Sequence, residues 1–214
     1  MKKKILVACL CVALAMLTIA GTTLAYLTSK DEVTNSFTVG KVGITLNEAK
    51  VTELGEKVLE NGTPVARVKQ NDYKLMPGHE YTKDPTVHVT AGSEKCYVFV
   101  KVENGISAFE SKADGYKSIA TQITANGWKP LDNVAGVYYQ EYTQSDKQVD
   151  YKVFENFQMD DNANTVKGWD NITADNTKVT VTAYAVQFDG FDNNLAGAWN
   201  AAKAAANTTT TTNP

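Results

Sequence analysis

Residues Lys178-Val179-Thr180-Val181-Thr182-Ala183-Tyr184-Ala185-Val186-Gln187-Phe188 decide the fold. Thr180, Thr182, Tyr184, Val186 and Phe188 share one face of an extended chain, and Val179, Val181, Ala183 and Ala185 share the other. β-Branched and aromatic side chains fit a pleated surface, so this run reads as one long strand. A second run, Cys96 to Val102, places Cys96, Val98, Val100 and Val102 on one side and Tyr97 and Phe99 on the other. Apolar character on both faces predicts a central strand covered from both sides.

Shorter strands lie around these two. Val33, Phe37 and Val39 share a face, as do Val42, Ile44 and Leu46 after the turn residues Gly40-Lys41. Thr86 to Thr90, Val137 to Tyr142 and Val149 to Phe154 add three more. Leu75-Met76-Pro77-Gly78 reads as a turn because Pro presets φ and Gly accepts a positive one. Asn61-Gly62 between Val58-Leu59 and Val65-Ala66 predicts a small hairpin. A short helix is expected over Lys117 to Ile123 and an Asn/Asp-rich ordered loop over Phe157 to Asp175. Leu195, Ala198, Trp199 and Ala202 recur at helical spacing, which predicts a helix to Ala206 with Trp199 on the sheet. The expected class is all-β, an antiparallel sandwich with short helical insertions and a C-terminal helix. No helical pattern alternates with strands and no fixed-period repeat is present, which excludes a parallel α/β sheet and a solenoid.

The N-terminus reads as an export signal. Lys2, Lys3 and Lys4 precede an apolar run from Ile5 to Ala20, and Thr23-Leu24-Ala25 supplies small residues at its exit. Cleavage is placed between Ala25 and Tyr26, with one residue earlier as the alternative. An uncleaved anchor is the rival, but these 16 apolar residues fall short of the roughly 20 that span a bilayer. Cleavage leaves a domain over residues 26–206 and a polar Thr-rich tail, 207–214, expected to be disordered. The tail carries no Leu-Pro-x-Thr-Gly sorting motif. Of 214 residues, 21 are basic and 24 acidic, and three of the basic ones leave with the signal. An acidic chain with scattered Lys offers no basic stripe for nucleic acid and no polybasic segment for a membrane surface. Cys9 and Cys11 lie in the signal, so Cys96 is a lone thiol without an internal disulfide partner. Leu6-Val7-Ala8-Cys9 has the look of a lipoprotein box, but the four apolar residues after Lys4 are too few for its apolar region.

Candidate chemistry is sparse. A zinc peptidase commonly uses His-Glu-x-x-His on a helix, which sets two imidazoles on one face. His79-Glu80 is followed by Tyr81-Thr82-Lys83, so the second His is missing, and His79 is expected to be a solvated turn residue. His88, between Val87 and Val89, is expected to point away from the core. Asp160-Asp161-Asn162-Ala163-Asn164 resembles a calcium loop, but the positions needing Gly and Glu hold Thr165 and Asn171. A different calcium site using Asp160, Asp161 or Asp170 is weighed against plain loop chemistry, which is preferred. Cys96 sits in a Val-rich alternation and reads as a core thiol. Tyr138, Tyr139 and Tyr142 are read as cross-strand packing, with stacking on a sugar or partner chain as the alternative. No catalytic, metal or cofactor residue is assigned.

The ordered set of motifs resembles the TasA/camelysin family, whose members carry a signal processed by a SipW-type signal peptidase in Gram-positive bacteria. Three pieces carry the resemblance. The first is Gly21-Thr22-Thr23-Leu24-Ala25-Tyr26-Leu27-Thr28 with Val33-Thr34-Asn35-Ser36-Phe37-Thr38-Val39-Gly40. The second is Met76-Pro77-Gly78-His79-Glu80-Tyr81-Thr82-Lys83-Asp84-Pro85-Thr86-Val87, leading into Tyr97-Val98-Phe99-Val100. The third is Val181-Thr182-Ala183-Tyr184-Ala185-Val186-Gln187 before Trp199. The resemblance implies a jelly-roll-like sandwich, secretion to the matrix or cell surface, and homopolymeric biofilm fibres, with an anchoring or nucleating secreted protein as a further partner. It also implies a donor strand at residues 26–39, in which Tyr26, Leu27, Val33, Phe37 and Val39 enter a neighbouring subunit. Lys30-Asp31-Glu32 departs from an ideal donor, since a dry groove takes charge only with partners. Pairing of Val33 to Val39 within its own subunit is the plainer alternative. Some members are classed as metallopeptidases, the rival function; a monomeric surface-binding module is the other.

Overall fold

A computed structural model describes residues 41–173 and 176–209. The signal segment 1–25, its cleavage point at Ala25 and Tyr26, the donor residues Tyr26, Leu27, Val33, Phe37 and Val39, and tail residues 210–214 lie outside the described residues.

The two long alternating runs pair with each other. β6, Cys96–Asn104, and β11, Val179–Gln187, form an antiparallel ladder from Val179 opposite Asn104 to Gln187 opposite Cys96. On its other edge β6 pairs with β8, Val137–Tyr142, which in turn pairs with the two-residue β7, Lys129–Pro130. This gives a four-stranded sheet of order β11-β6-β8-β7. A second sheet has the order β1-β5-β9, formed by Ile44–Asn47, Thr86–Val89 and Val149–Lys152. Two small pairs complete the set: β2, Leu59–Glu60, with β3, Thr63–Pro64, and β4, Glu80–Thr82, with β10, Asn156–Gln158. The fold is all-β and antiparallel with a C-terminal helix.

Alternation along β6 builds two cores. Val98 and Val100 point into the space between the sheets, where they meet Val87, Val89, Tyr142 and Phe154, all fully buried. Tyr97 and Phe99 point to the opposite face, under Ala198, Trp199 and Ala202 of α2, Leu195–Thr209. The Phe99 and Trp199 ring centroids lie 5.6 Å apart. Each fully buried apolar side chain of this size contributes about 1.5–3 kcal/mol relative to exposure. α2 runs three residues beyond the expected end at Ala206, because extending an established Ala-rich helix costs little per residue.

Local chemistry sets the turns. Asn61 and Gly62 adopt φ of 52° and 78°, as a type I′ hairpin requires, and β2 and β3 pair tight against them. Gly78 has φ of 72° in the turn closed by the His79 N–H donating to Met76 O. The helix expected over Lys117 to Ile123 is α1, Ile119–Ala125. It starts later because Ser118 is the N-cap, its Oγ accepting from the Thr121 N–H at 3.3 Å. The expected loop Phe157 to Asp175 needs correcting at its start, where β10 pairs with β4 and Phe157 stacks on Tyr81 with ring centroids 4.8 Å apart. Single 3₁₀ turns at Ala163–Thr165 and Trp169–Asn171 follow.

One buried carboxylate ties these parts together. Glu110 accepts from Asn104 Nδ2 at 2.5 Å, the Tyr116 hydroxyl at 3.1 Å and the Ile119 N–H at 2.9 Å. It thereby joins the end of β6 to the first turn of α1. Glu110→Ala strands three donors and is expected to lower stability by about 2–4 kcal/mol, read from urea unfolding followed by circular dichroism.

Candidate functional site

β1 and β11 are the outer strands on one side of the sandwich, and among the described residues each has a single sheet neighbour. Which backbone groups face outward follows from the antiparallel pattern. The Gly105 N–H donates to Lys178 O and the Phe188 N–H to Lys95 O, both at 2.9 Å. Even-numbered residues of β11 therefore exchange bonds with β6, and Val179, Val181, Ala183, Ala185 and Gln187 turn N–H and C=O to the open edge. On β1 the Thr90 N–H donates to Gly43 O at 2.9 Å, which directs the backbone groups of Ile44 and Leu46 outward.

A groove of about 740 Å³ lies between these two edges. Leu46, Leu75, Ile106, Phe157, Val179 and Val181 give it apolar walls, and Lys69, Asp72 and Lys83 lie on its polar lining. Its charged groups are managed closely. Lys83 Nζ meets Glu48 Oε2 at 2.7 Å, with side chains 11% and 6% exposed. Asn71 Nδ2 donates to the other Glu48 oxygen at 2.9 Å. Burial, then the nearby Glu48 and Asp84 carboxylates, push the Tyr73 hydroxyl well above its ordinary range, and it donates to Thr82 O at 3.1 Å. The groove thus has a mixed lining, apolar on one part and polar on the other, with a satisfied ion pair set into one wall.

The residues singled out for chemistry are not brought together. His79 is half-buried rather than solvated: its Nε2 lies 2.9 Å from Leu54 O and its ring packs edge-on to Tyr81. His88 faces away from the core, yet Asp150 and Asn47 cover it. Its Nδ1 is 2.7 Å from Asp150 Oδ1 and its Nε2 is 2.9 Å from Asn47 Oδ1. Burial would raise the Asp150 carboxyl, but hydrogen bonds from His88 and Gln148 and the charges of His88 and Arg67 hold it below its ordinary value. Asp160 spends its oxygens on the N–H groups of Asn162 and Lys112, which is loop chemistry, and Asp161 and Asp170 are exposed. Among the described residues, no three His, Cys, Asp or Glu side chains converge as a metal ion needs. Tyr142 is fully buried, Tyr138 packs on the inter-sheet core and Tyr139 on the second core, so these three are packing residues. The facing of the β1 and β11 edges across a groove was not legible in the sequence, where the two strands lie far apart in the chain.

The comparisons with known proteins bear on one wall of this groove. The family model of camelysin metallo-endopeptidase matches residues 1–70. Over that stretch the chain has a camelysin-family likeness. It agrees with the resemblance drawn from the motifs, and it takes in the leading segment, β1 and the residues up to Gln70 on the groove lining. β11, the other wall, lies beyond the camelysin match. No curated protein and no solved structure matches the chain.

Cys96 is fully buried, and burial pushes its thiol up to about 11. In the folded protein at pH 8 it is expected to react with an aromatic disulfide reagent at least about a hundredfold more slowly than in urea. Because the folded value lies above the unfolded one, the associated stability is present below about pH 8.5 and is lost as pH rises toward 11. The urea midpoint should fall over that window, and Cys96→Ala should reduce the fall.

Proposed function

We propose that the chain is a secreted, non-enzymatic structural subunit that builds extracellular or cell-surface fibres by strand addition. After signal removal, residues 26–39 of one copy pair along the groove of the next. The observation that supports this most is the edge of β11, Val179–Gln187, which has no further strand among the described residues and borders the groove at Val179 to Val181. An unpaired edge of that length invites a further strand, and alternate side chains of that strand fill the groove beneath. The leading segment supplies Leu27, Val33, Phe37 and Val39 on one face.

The two edges do not share the incoming strand equally. β1 and β11 approach within 8 Å between Cα atoms. A strand bonded to both would need about 9.6 Å, twice the inter-strand spacing. It therefore adds to β11 and displaces β1 outward. A chain of such subunits ends with one free leading strand and one open groove, which an anchoring or nucleating secreted protein would occupy at the cell surface. A SipW-type signal peptidase acts during export, on Gram-positive cells.

Electron microscopy of residues 26–214 at rising concentration tests this, with filaments expected. Removing Tyr26 to Val33 should leave monomers with the circular dichroism of the parent, since the unit from Gly40 onward is compact by itself. Parent protein that stays monomeric contradicts the proposal. So does stoichiometric zinc with EDTA-sensitive casein cleavage, which would be a metallo-endopeptidase activity such as the matching family's description names.

A further inference from the structure

Lys69 stands where an added strand would meet β1. Just past that strand, the Glu48 N–H donates to Val68 O at 2.9 Å and the Val68 N–H to Glu48 O at 2.8 Å. Residues 67–69 thus run as a single rung along the outer edge. The next outward carbonyl belongs to Leu46, and the Lys69 ammonium donates to it. The edge of β1 is closed at Glu48 by backbone and at Leu46 by this side chain, a common use of Lys on exposed strands.

Among the described residues three lysines line the groove, and Lys178 lies beside β11 rather than β1. Lys83 is buried against a carboxylate, whereas Lys69 is exposed and its hydrogen-bond acceptor, among the described residues, is a neutral carbonyl. An ammonium has three donors, so it can take a carboxylate at little cost in lost bonds. The leading segment carries that carboxylate on the required face. Side chains alternate along a strand, so Asp31 shares the face of Leu27, Val33, Phe37 and Val39, while Lys30 and Glu32 face away. Asp31 is the one charge that strand addition would turn into the groove, where it needs a partner.

We infer that Lys69 is the register-setting residue of the groove, holding the Leu46 carbonyl in the free subunit and the Asp31 carboxylate of a second copy once its strand is added. This rests on the strand-addition reading. A slip of two residues keeps the apolar face inward but puts Ser29 or Val33 at Lys69, and only the correct register pairs the charge.

Charge exchange in residues 26–214, followed by light scattering and microscopy, tests the pairing. Lys69→Glu and Asp31→Lys should each raise the critical concentration for assembly about tenfold, and the double variant should return it to within about threefold of the parent. Glu32→Lys, on the outward face, should shift it less than about twofold. Unchanged melting curves are expected, as Lys69 is exposed. Single variants that assemble like the parent, or a double variant that stays defective, overturn the inference while parent filaments still support strand addition. Parent protein without filaments overturns both.

Discussion

β6 is bonded along both edges and covered on both faces, and the rest of the molecule is arranged around that enclosure. Its backbone is shared between β11 and β8, so neither partner can shift without breaking a ladder. Val98 and Val100 commit one face to the inter-sheet core, and Tyr97 and Phe99 commit the other to α2. A one-residue slip would exchange these faces and set aromatic rings where valines pack. The register of β11, and with it the set of amides that β11 presents outward, is therefore inherited from β6.

That inheritance makes the groove a consequence of the core. The four-stranded sheet ends at β11 on one side, and the three-stranded sheet ends at β1 on the same side. The second sheet is held as a unit on its outer face by His88, which links Asn47 of β1 to Asp150 of β9. Arg67 adds to this seam, its guanidinium bonding Asp84 at 3.1 and 3.2 Å and Asn47 Oδ1 at 2.5 Å. β11 is the longer edge, whereas β1 is closed at Leu46 and Glu48. The two walls thus differ: β11 turns backbone groups to its edge, and β1 is capped there by the Lys69 ammonium.

Long elements were legible in the residues because their periodicity runs for many positions. Lys178 to Phe188 and Cys96 to Val102 carry enough alternation to identify both faces, and each observed face packs as its residue types require. Asn61-Gly62 was legible for a local reason, since few other pairs accept two positive φ values. β4, β7 and β10 were not, because two or three residues cannot display a period, and their pairing is decided by contacts such as Phe157 on Tyr81. The half-buried state of His79 was missed because Leu54, 25 residues away in the chain, covers it together with the neighbouring Tyr81. The groove was hidden for the same reason: Leu46 and Val181 line one cavity only after the sheets have stacked.

Hydrogen exchange along β11, compared in residues 26–214 as monomer and after assembly, reads the two sets of amides separately. The N–H groups of Thr180, Thr182, Tyr184 and Val186 should be protected in both states, since β6 holds them. Those of Val181, Ala183 and Ala185 should exchange fast in the monomer and become protected in the assembled material. Equal protection of both sets in the monomer, or no gain on assembly, would mean that β11 does not receive a strand along this edge.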